Sequence, residues 1–138
     1  MKENIVKDWL RSSYSDLVLI EEILGNDFLT HMVAFHAQQS IEKSFKAIIE
    51  SKFDNVPKIH SLNRLYKIVS GFLAVNNFVE INKLDKLYIE SRYPVDFGLL
   101  PDGKPSLDDA KRFYDFAADV FERVCDILKI DKAEIMKR

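Results

Sequence analysis

"AFHAQQSIEKSFKAIIES", from Ala34 to Ser51, is the stretch that decides the fold. An ideal α-helix advances about 100° per residue. With His36 set at zero, Ala34, Ile41, Phe45 and Ile48 fall between roughly 120° and 180°. Met32, Gln39, Lys43, Lys46 and Glu50 fall between roughly −20° and −80°. The two sets lie on opposite sides, as in an amphipathic helix with one face on a core. The pattern places the polar stripe away from that core, as a solvated face. The same stripe offers an imidazole, an amide and two cations in successive turns. It is therefore also a candidate binding surface, with His36 and Gln39 able to reach one ligand atom and Lys43 and Lys46 able to hold a phosphate below it.

Helical spacing recurs on both sides of this stretch. Val6, Leu10, Leu17, Ile20 and Leu24 share a face of a first helix, with Trp9 and Ile23 beside them. Gly25 is its expected stop, and Asn26 or Asp27 can cap a second helix from about Phe28 to about Lys52. Ser61 is a cap for a short third helix through Leu62, Leu65, Ile68 and Val69, interrupted at Gly71. Phe78, Ile81, Leu84, Leu87, Tyr88 and Ser91 mark a fourth helix, which should end before Pro94. The segment from Tyr93 to Pro105, punctuated by proline and glycine, reads as the longest loop. Ser106-Leu107-Asp108-Asp109 resembles a capping box with Asp in place of Glu. A fifth helix follows through Ala110, Phe113, Ala117, Val120, Val124 and Ile127. No strand alternation or internal repeat interrupts the pattern. These features predict an all-α, up-and-down antiparallel bundle of four to five helices, in one domain over residues 1–130. A charged tail, 131–138, is expected to fray.

Composition narrows the function classes. The 138 residues suffice for one core, and a formal net charge of −2 argues against bulk nucleic-acid binding by a basic field. A local basic patch remains open. Cys125 is the single cysteine, so no disulfide forms within the chain. No close His or Cys pair has zinc spacing, no glycine-rich phosphate loop is present, and no metal or cofactor is expected. No apolar run is long enough for a membrane span or a leader, which points to a cytoplasmic protein.

The wording of the chain resembles a known family. "FHAQQSIEKSFKAIIES", then "IHSL", then "LDKLYIESRYP", then a long helix follow one another between Trp9 and about Leu128. This order is similar to that of the HEPN family of small bacterial and archaeal proteins. The resemblance implies a bundle of four or five helices, usually a homodimer. It implies a nucleotide- or RNA-related role, often beside a minimal nucleotidyltransferase in a toxin–antitoxin pair. Ribonuclease members carry an Arg, then four to six residues, then a His. Here the histidines are His31, His36 and His60, and Arg11, which precedes them, lies too far upstream. The ribonuclease signature is absent, and no catalytic residue is assigned.

Each candidate has two readings. His36, exposed by its angle, is free to exchange a proton or bond a base or phosphate, or is an idle surface His. Lys43 and Lys46 are phosphate contacts or ordinary solvated cations, and Glu42 can pair Lys46 at i+4. His60 either precedes the Ser61 cap or flanks an anion at that helix N-terminus. Arg92 either satisfies the last carbonyls of the fourth helix or offers its fork to a phosphate. Tyr93 either stacks on a base or fixes the loop. Trp9, Phe113, Phe116 and Phe121 read as core, and Asp108 and Asp109 as capping residues. Three functions follow: a nucleotide- or nucleic-acid-binding module, a ribonuclease toxin with a non-standard site around His36 or His60, and a purely structural or regulatory dimer.

Overall fold

The computed structural model describes residues 2–76, 78–91 and 104–137. Helix α1, Lys2–Ile23, ends where Gly25 takes a φ of 99°, a left-handed conformation that suits glycine. The Asn26 side chain accepts from the Phe28 N–H and opens a 3-10 turn at Asp27–Leu29, so α2 proper begins two residues after Phe28 and spans Thr30–Lys52. Helix α3, Leu62–Val69, is capped by Ser61, and α4 covers Phe78–Ser91. Helix α5, Leu107–Ile127, opens on the expected capping box. Ser106 Oγ accepts from the Asp109 N–H, and the Asp109 carboxylate accepts from the Ser106 N–H. No strand occurs among the described residues.

The end of the chain departs from the expected fraying. Asp131 caps a short helix α6, Lys132–Ile135, and Ile135 is buried in the core. Lys7 on α1 donates to Glu134 at 3.0 Å and holds this turn against the bundle.

Helix α2 is the hub, packed against α1, α5, α4 and α3. Its stripe of Ile41, Phe45 and Ile48 is sealed from solvent together with Phe113, Phe121, Leu65 and Val124. Each such side chain contributes about 1.5–3 kcal/mol on burial. The opposite side of α2 is covered as well. Helix α1 runs antiparallel to it, with Ser13 meeting Ser40 and Ser44 while Asp16 meets His36. Ala37, Ser40, Ser44 and Ala47 are small and sealed, so the two backbones approach closely. The Ser13 hydroxyl lies 2.8 Å from the Ser40 carbonyl oxygen and 2.9 Å from both the Ser40 and Ser44 hydroxyls. These contacts meet the requirement that buried polar groups keep partners.

Candidate functional site

The polar stripe of α2 is therefore not a solvated face. Two carboxylates organise it. Asp16, on the edge of the buried face of α1, has a side chain only 10% exposed. One of its oxygens lies 2.9 Å from His36 Nδ1, and the other accepts from Lys43 Nζ at 2.7 Å. Glu42, also buried, accepts from Lys46 Nζ at 3.0 Å, the expected i+4 pair. His60 Nδ1 stands 3.3 Å from both Glu42 oxygens. Gln38 Nε2 donates to the same carboxylate at 3.3 Å and to the His60 carbonyl at 2.8 Å. Gln39 joins in by donating to Gln38 Oε1 at 2.7 Å. The Lys46 ammonium also lies 5.5 Å from the centre of the Trp9 ring, a favourable cation–π position.

Four aromatic rings connect the two clusters. Phe35 meets His36 edge-on at 5.2 Å and stacks on Tyr88 of α4 at 5.7 Å. Tyr88 in turn contacts His60 at 6.1 Å. The fold thus gathers His36, Gln39, Lys43, Lys46 and His60 on the α1, α4 and pre-α3 side of α2. Arg92 and Tyr93 lie outside the described residues; in sequence they follow Tyr88 by four and five positions.

Three expectations change. His36 is only 18% exposed in its side chain and is tied to Asp16, because α1 covers the face that angular reasoning left to solvent. Lys46 is 7% exposed and matched by Glu42, so it is an interior cation rather than a surface one. The N-terminus of α3 already holds an anion of the chain itself. Asp85 accepts from the backbone N–H groups of Leu62 at 2.7 Å and Asn63 at 3.0 Å, and from the Asn63 amide at 2.9 Å. A carboxylate at a helix N-terminus meets both the unpaired N–H groups and the dipole there. His60 accordingly serves Glu42, not a ligand at that end.

Asp16, Gln38, Asp85 and Tyr88 were not singled out from sequence as site residues. Asp16 alone gave a usable signal. It follows the core-facing Ser13 by three residues and precedes Ile20 by four, a position where an ionised carboxylate needs a partner. The partners of Asp85 are backbone groups more than twenty residues away, which no local pattern can announce.

Other reactive groups are quiet. Burial pushes the Cys125 thiol up to about 11, so it stays protonated and unreactive at neutral pH. Burial, followed by nearby Lys104, holds the His31 imidazole below its ordinary range. Among the described residues no group of three or more His, Cys, Asp or Glu side chains could hold a metal ion. No helix among them is long and apolar enough to cross a membrane. A groove of about 480 Å³ lined by Arg11, Tyr14, Ser15, Glu134, Ile135 and Lys137 contains none of the stripe residues.

Fold and site together define an all-α bundle whose central helix carries carboxylate-anchored His and Lys side chains. The HEPN domain pattern matches residues 6–128, and the chain belongs to the HEPN domain family. Membership supports a nucleotide- or RNA-related module as the general class. No curated protein and no solved structure matches the chain.

Proposed function

We propose that this HEPN protein is a nucleotide- or nucleic-acid-binding module that works as a homodimer beside a minimal nucleotidyltransferase, in a toxin–antitoxin-like pair. One observation carries the binding site. Asp16 engages His36 at Nδ1, while Nε2 makes no hydrogen bond among the described residues, and the side chain as a whole is 18% exposed. A carboxylate that fixes one ring nitrogen sets the orientation of the other. Nε2 of His36 and the amide of Gln39 are then the base or ribose contacts, and Lys43 supports them from behind through Asp16. Lys46 and His60 brace the neighbouring turn through Glu42. Arg92 supplies the phosphate contact and Tyr93 the stacking ring. The paired-module reading draws its support from family membership alone.

Calorimetric titration with a panel of nucleotides and short RNAs tests the site. His36→Gln and Arg92→Ala should each weaken binding about tenfold or more, the equivalent of one charge-assisted contact worth ~1.5–3 kcal/mol. If the wild type binds nothing tighter than millimolar, the reading fails. Light scattering should give a dimer. A minimal nucleotidyltransferase should be encoded alongside, and co-expression with it should give a complex that survives gel filtration.

A second reading has its own observation. An imidazole held by a carboxylate at Nδ1 has the arrangement of a general base, so a ribonuclease centred on His36 follows from the same contact. The absent Arg-then-His pair weighs against it. RNA cleavage by repurified protein that disappears in His36→Ala would favour this reading over binding.

A further inference from the structure

The outer face of α3 and α4 takes no part in the α2 clusters. Its cations outnumber its acids. Glu80, part-buried on α4, lies 3.7 Å from Arg112 of α5, and Asp85 is consumed by the start of α3. Arg64, Lys67 and Lys83 are exposed and make no ion pair among the described residues. Helix α5, by contrast, carries six acids and three bases in its sequence, whereas α3 carries two bases and no acid, and on α4 Glu80 and Asp85 are already engaged inside the fold.

Helix geometry puts these cations on one surface. With Asn82 set at zero and about 100° per residue, Phe78, Val79, Lys83, Lys86 and Ile89 fall within an arc of roughly 140°, in which Glu90 is the one acid. With Asn63 at zero, Lys67 and Arg64 fall at roughly +40° and +100°. The Asn63 amide donates to Asn82 Oδ1 at 2.7 Å, which joins the two arcs along one seam. Tyr66 meets Phe78 at 5.5 Å while Asn63 meets Asp85, so the two helices run antiparallel.

Apolar side chains are interspersed among the cations. Phe78 is 49% exposed, Val79 64% and Ile89 59%. This mixture selects the kind of partner. A nucleic-acid backbone would use Arg64, Lys67 and Lys83 but would gain nothing from Val79 and Ile89. A second copy placed symmetrically would set these cations against themselves. A protein element with an apolar stripe and acidic flanks satisfies both features at once.

We propose that the α3–α4 face is a docking surface for an acidic amphipathic helix of a partner protein. Val79, Ile89 and Phe78 receive its apolar stripe, and Arg64, Lys67 and Lys83 pair with its flanking carboxylates. This surface is separate from the His36 site, so the two readings fail separately.

The test uses three defined probes on the full chain. The first is a synthetic amphipathic helix of about 15 residues with leucines at helical spacing and glutamates on both flanks. The second is the same helix with lysine in place of glutamate. The third is a homopolymer RNA oligonucleotide. Backbone amide NMR shifts map the contact, and fluorescence titration gives affinity. The acidic helix should bind saturably, with shifts confined to α3 and α4, and weaken as salt is raised. Lys67→Glu with Lys83→Glu should weaken it about tenfold, and so should Val79→Ser with Ile89→Ser. The lysine helix should not bind. His36→Gln should leave the titration unchanged. Lys67, Lys83, Val79 and Ile89 are exposed, and circular dichroism of the variants at these positions should match the wild type. The proposal is overturned if the acidic helix moves no resonance in α3 or α4 at millimolar concentration. It is also overturned if the serine variants bind it like the wild type, or if RNA binds this face more tightly than the helix does.

Discussion

Removing the Glu42 carboxylate should destabilise the protein far more than removing a surface acid. Glu42 and Lys46 are 6% and 7% exposed and 3.0 Å apart. At that distance, with an effective dielectric of about 20, their attraction is about 5.5 kcal/mol, and desolvation of the two charges offsets much of it. The intact pair is therefore close to neutral for stability. Glu42→Ala is different, because it leaves the Lys46 ammonium buried with only the Trp9 ring beside it. It also removes the carboxylate partner of His60 and one of the two acceptors of the Gln38 amide. Breaking a buried pair on one side costs about 3–5 kcal/mol, a large share of a typical stability of about 5–15 kcal/mol. Urea unfolding followed by circular dichroism measures the difference. Two controls sharpen it. Asp115→Ala removes one partner of an exposed pair, 67% and 57% open to solvent, and should cost less than about 1 kcal/mol. Glu42→Leu with Lys46→Met removes both charges and should recover most of the loss. The reasoning is refuted if Glu42→Ala costs no more than Asp115→Ala. A joint replacement as damaging as the single one would show that shape, not unmatched charge, is at stake.

Four further outcomes follow from the same contacts. Asp85→Ala should cost about 2 kcal/mol or more in the same unfolding assay, since it strips two backbone N–H groups of a charged acceptor; a loss under about 0.5 kcal/mol would mean water replaces it without penalty. Ser106→Ala should cost about 1 kcal/mol at neutral pH. Hydrogen bonding from the Ser106 backbone N–H, then from the Ser106 and Arg112 side chains, holds the Asp109 carboxyl below its usual 3.8, so its contribution is present above that value and is lost as pH falls through the folded pKa; Asp109→Asn should remove this acid limb of the stability curve, whereas Ser106→Ala keeps the backbone donor and should leave most of it. His31 has the opposite origin, with a folded pKa below 6.5 because burial disfavours the charged ring. The unfolded chain takes up that proton first, so stability should decline as pH drops below about 6.5, and His31→Gln should remove that slope.

Much of the fold was legible locally. Periodicity placed α1, α2, α3, α4 and α5, because a repeat near 3.6 residues shows wherever one helix face meets a core. Gly25, Ser61 and the Ser106–Asp109 box marked helix ends, since each acts within a few residues of itself. The Glu42–Lys46 pair was legible for the same reason. Family membership was also readable, from the order of short motifs along most of the chain.

What sequence could not supply was which sides of α2 are covered. Angles within a helix tell which residues share a side, but they do not say how many neighbours that helix has. Because α1 and the segment before α3 pack on the polar side, residues expected in water became a network of matched charges. Asp16 reaches His36 across twenty positions, and Glu42 reaches His60 across eighteen. Asp85 fills the start of α3 from a different helix. Ile135 closes the bundle from a tail whose composition suggested fraying. Each of these depends on where a distant segment comes to rest, and in a helical bundle that is set by the joint packing of all the helices rather than by the residues on either side.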